Sequence, residues 1–234
     1  MSKQSKHKIV FLFDVDNTLL DNDRIQENLR QHLTAKFGSE WQQHYWDILE
    51  QLRSELGYVD YLGSLQRFRM AHPRDEGILE ISKYLIEYPF ANRLYPGSID
   101  AVEHVQQWGP AVILSDGDAV FQPWKVYRSG LAEAFHDNIL IYIHKEEMLD
   151  EVERHFPSEH YVMIDDKLRI LDAINQHWRD RVTTVFVDQG HYAKDPENLA
   201  RYPHGDIQVE HIGDLCELAE SEFLPRGYSI SKGS

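Results

Sequence analysis

A chain of 234 residues, 42% apolar and with a formal net charge of −15, is long enough for one domain with a sizeable insertion and can bury a real core. The acidic surplus and the lack of any Lys/Arg run argue against nucleic acid or an anionic membrane as partner, while a small phosphate ester held inside a pocket stays compatible. The single cysteine, Cys216, excludes an intramolecular disulfide and suits a reducing compartment. No stretch reaches the ~20 apolar residues of a membrane helix, and the apolar run after the charged N-terminus is too short for a signal peptide, so a soluble, cytoplasmic protein is expected.

The first element is Ile9 to Phe13, an apolar run rich in β-branched and aromatic residues that reads as a strand buried on both faces. It ends in Asp14-Val15-Asp16-Asn17-Thr18. Two carboxylates at the carboxyl end of a buried strand stand where open α/β sheets bind ligands, and a divalent cation is the simplest offset to their charge. From there to residue 92 the pattern is helical. Asp23 opens a stripe of Ile25, Leu29, Leu33 and Phe37 closed by Gly38, and Trp41, Tyr45, Ile48, Leu49, Leu52 and Leu56 form a second closed by Gly57. Asp60 caps a third helix bearing Tyr61, Leu65 and Phe68, and a fourth runs from about Asp75 to Tyr88, stopped by Pro89. Trp41, Tyr45, Trp46, Tyr58 and Tyr61 are expected in the core of this block. Arg67 and Arg69 flank Phe68, so at most one of them faces a site.

From Pro96-Gly97 onward strands and helices alternate. Ser98 caps a helix reaching Trp108. A short strand, Ala111 to Leu114, finishes at Ser115-Asp116-Gly117, and a helix follows over about 120–129. A third strand, Asn138 to Ile143, leads through His144-Lys145 into a helix with Met148, Leu149, Val152 and Phe156. The fourth, Tyr161 to Ile164, ends at Asp165-Asp166, and the next helix carries Leu168, Leu171, Ile174 and Trp178. Thr183 to Val187 is a fifth strand, and a sixth falls within 207–212. Residues 188–206 read as irregular surface chain, and those from Arg226 as loosely held. Cys216, with Leu215 and Leu218, reads as a small core residue on a helix. The histidines show no metal-binding spacing; His155 and His160 straddle Pro157 at a helix exit and are expected to be solvated.

This order predicts an α/β fold: a Rossmann-like parallel sheet in three α/β/α layers, formed by residues 1–20 and 93–234, with an all-helical cap domain at 21–92 inserted after the first strand. In a parallel sheet the strand ends share one edge, so Asp14/Asp16, Ser115, Lys145 and Asp165/Asp166 converge on one crevice. That set suits phosphoryl transfer. Asp14 is ionised at neutral pH and can act as nucleophile. Asp16 can protonate the leaving oxygen and then activate water. Ser115 and the Asp116-Gly117 turn, with Asn17, can hold the transferred group, and Lys145 can balance its charge. Asp165 or Asp166 supplies a third carboxylate for Mg²⁺ beside Asp14 and Asp16.

At these positions the chain resembles the haloacid dehalogenase superfamily, specifically phosphatase members with a helical cap after the first motif. The resemblance rests on Asp14-Val-Asp16-Asn17-Thr18-Leu19, on the strand ending at Ser115 with Gln122 and Lys125 on the helix behind it, on Lys145, and on Ile164-Asp165-Asp166. It implies that Asp14 is phosphorylated, that Asp16 is the general acid/base, and that Mg²⁺ binds both together with the fourth-motif acid. Asp16 sets the chain apart from the dehalogenating members, whose corresponding position is not Asp. Three departures stand out: Ile164 replaces a frequent glycine, Arg169 or Ile170 falls where a second acid is usual, and Glu146 replaces a frequent proline. The expected activity is a Mg²⁺-dependent phosphatase of a small phosphorylated metabolite. A phosphomutase, a receiver-like module and a metal-binding protein without turnover are the competing readings, and the oligomeric state is open.

Overall fold

Alternation within one strand sets the architecture. In β1 (His7–Phe13), Ile9, Phe11 and Phe13 join one hydrophobic cluster while Val10 and Leu12 join another on the opposite face. A strand apolar on both sides must be covered on both sides. The computed structural model describes residues 6–225. After β1 come α1 (Asn22–Phe37), α2 (Ser39–Leu56), α3 (Tyr61–Ala71) and α4 (Gly77–Glu87), then α5 (Ser98–Val105), β2 (Ala111–Asp116), α6 (Phe121–Ser129) and α7 (Leu131–Ala134). The chain continues through β3 (Ile139–Tyr142), α8 (Leu149–His155), β4 (Ser158–Asp165), α9 (Leu168–Trp178), β5 (Val182–Val187), α10 (Gly190–Ala193), α11 (Pro196–Arg201) and β6 (Ile207–Val209).

The strands pair in parallel in the order β3-β2-β1-β4-β5-β6, the expected Rossmann-like sheet. The chain runs outward from β1 to β3 and then returns to the other flank of β1 with β4. Such a reversal opens a crevice at the carboxyl end of the central strand. Phe13 pairs with Ile113 on one side and Ile164 on the other, so Asp14, the end of β2 and Asp165 lie side by side.

Helices α1 to α4 build a cluster of their own from Ile25, Leu29, Tyr45, Phe68, Ile81 and their neighbours, closed below by Phe90 and by Phe121 of α6. Asp60 caps α3 through a 2.7 Å bond from the Gly63 N–H, and Gly57 ends α2 in the left-handed region at φ 83°. Where the chain enters and leaves this block its two ends run together: the Asp21 N–H donates to the Arg93 carbonyl at 2.8 Å, and Leu20 bridges Leu94.

Several local expectations are corrected. The cap of α1 is Asp21, whose carboxylate accepts from the Arg24 N–H, two residues ahead of Asp23. Ser98 does not cap α5; it is buried and its hydroxyl donates to the Leu19 carbonyl at 2.9 Å. Residues 188–206 contain α10 and α11, both too short to carry a periodic stripe. Cys216 is exposed on a 3₁₀ turn, where the shorter repeat buries Leu215 and turns the neighbouring thiol outward. His160 is neither solvated nor at a helix exit. It lies buried in β4 with Nε2 2.9 Å from the Thr183 hydroxyl, because β4 starts earlier than its apolar run. The segment from Arg226 lies outside the described residues, among which no helix is long and apolar enough to cross a membrane.

Candidate active site

The turn after β1 positions the first acid. Asn17 takes φ 63°, a conformation asparagine tolerates better than most residues, and the Leu19 and Leu20 N–H groups both donate back to the Val15 carbonyl. The turn brings the Thr18 hydroxyl to 3.4 Å from Asp14 Oδ2, where it also accepts from the Asp166 N–H at 3.1 Å. Thr18 thereby fastens the end of β1 to the end of β4. Asp14 is itself anchored by its own N–H, which donates to the Ile164 carbonyl at 2.9 Å.

Lys145 is fully buried between carboxylates. Its Nζ donates to Asp14 Oδ1 at 2.5 Å and stands 2.7 Å from Asp165 Oδ2, which it meets off the hydrogen-bonding direction. Burial works against the charge on Asp14, yet Lys145 and Lys167 prevail and hold its carboxyl below the ordinary range. Burial likewise disfavours the Lys145 ammonium, and Asp14, Asp165 and Asp116 reverse the effect and raise its pKa. The other two acids go the opposite way: burial lifts Asp165 to about 6 and Asp166 well above its usual value. Asp165 Oδ1 also accepts from the Lys167 N–H at 2.8 Å, in the turn that leads into α9, whose N-cap is Lys167.

Asp14, Asp165 and Asp166 each bring a carboxylate oxygen within 4.8 Å of the others. Both Asp166 oxygens are buried with no hydrogen-bond partner among the described residues, an arrangement that costs free energy unless something occupies it. Hard, all-oxygen, acidic and sealed from solvent, this set fits a divalent cation such as Mg²⁺. The Asp16 carboxylate is not in the set. It is drawn instead to Lys125 of α6, at 2.5 Å.

The β2 end is organised around the same lysine. Asp116 Oδ1 accepts from the Lys145 N–H at 2.7 Å, so Asp116 positions Lys145. Ser115 is buried and its Oγ accepts from Gln122 Nε2 at 3.0 Å. Two expected substrate contacts are already engaged. The Gly117 N–H donates to the Tyr142 carbonyl at 2.9 Å, and the Asn17 amide is bonded at both ends to Asp23. Asn17, Asp116 and Gly117 do line the cavity above, so they shape it even where their polar groups are committed.

That cavity measures about 290 Å³ and lies between the strand ends and α1 to α3, with Asp16 and Lys167 on its floor side and Arg53, Tyr58 and Tyr61 opposite. It is at the small end of the range for small-molecule sites. Asp14, Lys145, Asp165 and Asp166 sit just beneath it, buried. Neither Arg67 nor Arg69 lines it: Arg67 pairs with Glu55 on the surface and Arg69 is exposed. The lining arginines are Arg169 of α9 and Arg53 of α2, the latter on a helix whose apolar stripe carries no mark of which polar residue points inward. Lys125 was within reach of the sequence, since Gln122 and Lys125 are three apart and must share a helix face.

Comparison with known proteins follows the same lines. A family model described as haloacid dehalogenase-like hydrolase matches residues 10–177. A solved haloacid dehalogenase-like hydrolase from Burkholderia xenovorans LB400 is 56% identical, with a TM-score of 0.87 over 91% of this chain and 99% of that one. A hydrolase of the haloacid dehalogenase-like family from Xanthomonas campestris is similar in fold at 19% identity, with a TM-score of 0.64 over 95% of each chain. So is the L-2-haloacid dehalogenase of Xanthobacter autotrophicus, at 16% identity and a TM-score of 0.59 over 91% of this chain and 98% of that one. No curated protein matches the sequence.

Proposed function

This chain belongs to the haloacid dehalogenase-like hydrolases, and from that premise we propose that it is a divalent-metal-dependent phosphatase of a small phosphorylated metabolite, working through an aspartyl-phosphate. The observation that carries the reading is the pairing of an ionised, buried Asp14 with a second acid, Asp16, two residues on, beside the unpartnered oxygens of Asp166. Fold alone does not separate phosphate from halide substrates. The leaving group does, because an alkoxide departs only with a proton and a halide needs none.

The residues divide the work as follows. Lys145 holds the Asp14 carboxylate as an anion and fixes its direction. Asp14 Oδ attacks phosphorus, the bond from phosphorus to the ester oxygen breaks, and protonated Asp16 gives its proton to the departing oxygen. Asp16, now a carboxylate, takes a proton from the water that attacks phosphorus in the second step, releasing phosphate and restoring Asp14. The Ser115 hydroxyl, held by Gln122, exchanges its long 3.4 Å bond to the Asp116 carbonyl for one donated to a phosphate oxygen. Mg²⁺ held by Asp14, Asp165 and Asp166 would neutralise charge on the transferring group. Helices α1 to α4 act as a cap that reads the alcohol half of the substrate.

The test is turnover of p-nitrophenyl phosphate with Mg²⁺, expected to vanish on chelation and to fall about 10³-fold or more in Asp14→Asn. Chloride release from a 2-chloro acid without phosphate release from any ester would overturn the reading. Transfer of phosphate to a second sugar hydroxyl in place of its release would reassign the chain to the mutases.

A further inference from the structure

The walls of the cavity carry cations, although the chain as a whole has a net charge of −15. Most of these cations are matched. Lys125 donates to Asp16 at 2.5 Å, Lys167 answers the carboxylates below it, and Arg169 donates to Glu146 at 2.6 Å. Arg53 is different. Among the described residues its one ion-pair contact is Glu50, 3.5 Å away and one turn back on the same helix, a solvent-screened pairing worth very little.

Position adds to this. Across the cavity the Arg53 guanidinium stands 5.8 Å from the centre of the Tyr192 ring, and Lys167 Nζ lies 5.1 Å from the same ring. The two charges are therefore no more than about 11 Å apart, the sum of those distances. A short molecule with an anion at each end is long enough to reach both, with its phosphate near Lys167. The Tyr61 hydroxyl, within reach of the charges of both Asp16 and Arg53, is buried beside Asn22 without a hydrogen bond of acceptable geometry among the described residues. Burial keeps that phenol protonated, so it is a neutral donor without an acceptor.

Building on the phosphatase reading, we propose that the alcohol half of the substrate carries a second anionic group, carboxylate or phosphate, received by the Arg53 guanidinium with the Tyr61 hydroxyl donating alongside. Bidentate recognition of either anion is what a guanidinium does best.

Three three-carbon probes of matched length test it: glycerol 3-phosphate, 3-phosphoglycerate and propane-1,3-diol bisphosphate. The readout is the ratio of kcat/KM for each doubly anionic probe to that for glycerol 3-phosphate. The wild type should prefer one of the two by about tenfold or more, and which one it prefers identifies the anion. In Arg53→Gln the ratio should fall about 10- to 100-fold, the scale of one charge-assisted hydrogen-bonded contact, and Arg53→Lys should keep part of it. Arg69→Gln, an exposed arginine of α3 away from the cavity, should leave the ratio where it was. Melting curves confirm that the variants are folded. A ratio near one in the wild type, or a ratio untouched by Arg53→Gln, overturns the assignment. Parallel turnover of p-nitrophenyl phosphate keeps the two claims apart. If it proceeds while the ratios fail, only the role of Arg53 falls, and if no phosphate ester is hydrolysed, the phosphatase reading falls and takes this inference with it.

Discussion

Asp166→Asn is expected to stabilise the metal-free protein while disabling it. Three carboxylates, Asp14, Asp165 and Asp166, share their pocket with two ammonium groups, Lys145 and Lys167. Without a cation, burial drives the Asp166 carboxyl towards its neutral form, and its oxygens have no hydrogen-bond partner among the described residues. A buried polar group left unsatisfied costs about 1–3 kcal/mol, more when charged. An amide in its place needs no proton to stay neutral and so removes the cost of suppressing that charge, although its own N–H groups then need partners and part of the gain is lost. A net gain of about 1 kcal/mol raises Tm by about 2–4 °C in a chain of this size. Mg²⁺ at 100 times its Kd should stabilise the wild type by about 2.7 kcal/mol, or about 5–11 °C, and do far less for the variant. Calorimetric melts in EDTA and in Mg²⁺ make the four-way comparison. If Asp166→Asn melts lower than wild type in EDTA and gains as much from Mg²⁺, Asp166 is a structural acid and the assignment of the metal site is wrong.

Two further outcomes follow from groups with opposite electrostatic histories. Lys145→Met leaves Asp14 and Asp165 buried without their ammonium, so stability should drop by about 3–5 kcal/mol and Tm by about 6–20 °C, measured by the same melts. His160 lies away from the site, and burial lowers its pKa to about 4 despite the opposing Phe223 carbonyl and Asp206. The unfolded chain binds a proton near pH 6.5 that the folded chain refuses until about pH 4, so stability is full above 6.5 and declines as pH falls through that window. The loss should total about 1–3 kcal/mol. His160→Gln should lack this component, so its stability relative to wild type should improve steadily from pH 7 to pH 4 in urea titrations, and a pH-independent difference would refute the assigned shift.

What was legible in the sequence divides along a physical line. Asp14, Ser115, Lys145 and Asp165 follow apolar strands that pair in register, so reading the strands also locates the residues that follow them. The roles of Asp165 and Asp166 were not separable that way, because adjacent residues differ only in which one meets Lys145 and which is left bare. Gly117 looked like a free phosphate donor because its pairing with Tyr142 depends on how far the edge strand β3 extends. Arg53, Tyr61 and Lys125 lie on helices, where the stripe that packs is evident but the boundary between packed face and cavity wall depends on how neighbouring helices are spaced. The short α10 and α11 formed below the length at which periodicity can speak, and with them Tyr192 was lost to view.

The division of labour between Asp14 and Asp16 can be tested by choosing the leaving group. Asp16 lies 2.5 Å from Lys125, which itself bridges to Asn22 at the start of α1, so the second acid is tethered to the helical block that forms one wall of the cavity. In Asp16→Asn the nucleophile and the acids beside it are left intact; the proton carrier is gone, and Lys125 keeps an amide oxygen in place of its carboxylate partner. An alkyl phosphate, whose alkoxide cannot leave unprotonated, should then lose about 10²–10⁴-fold in turnover. Nitrophenolate leaves without help, so the first step with p-nitrophenyl phosphate should survive while the second, which needs a base for water, stalls. Rapid mixing should therefore show a burst of nitrophenol near one equivalent per chain followed by little further release, with acid-quenched protein carrying phosphate on Asp14. Equal losses on both substrates with no burst would mean that Asp16 serves geometry rather than proton transfer, and another group would have to carry the proton.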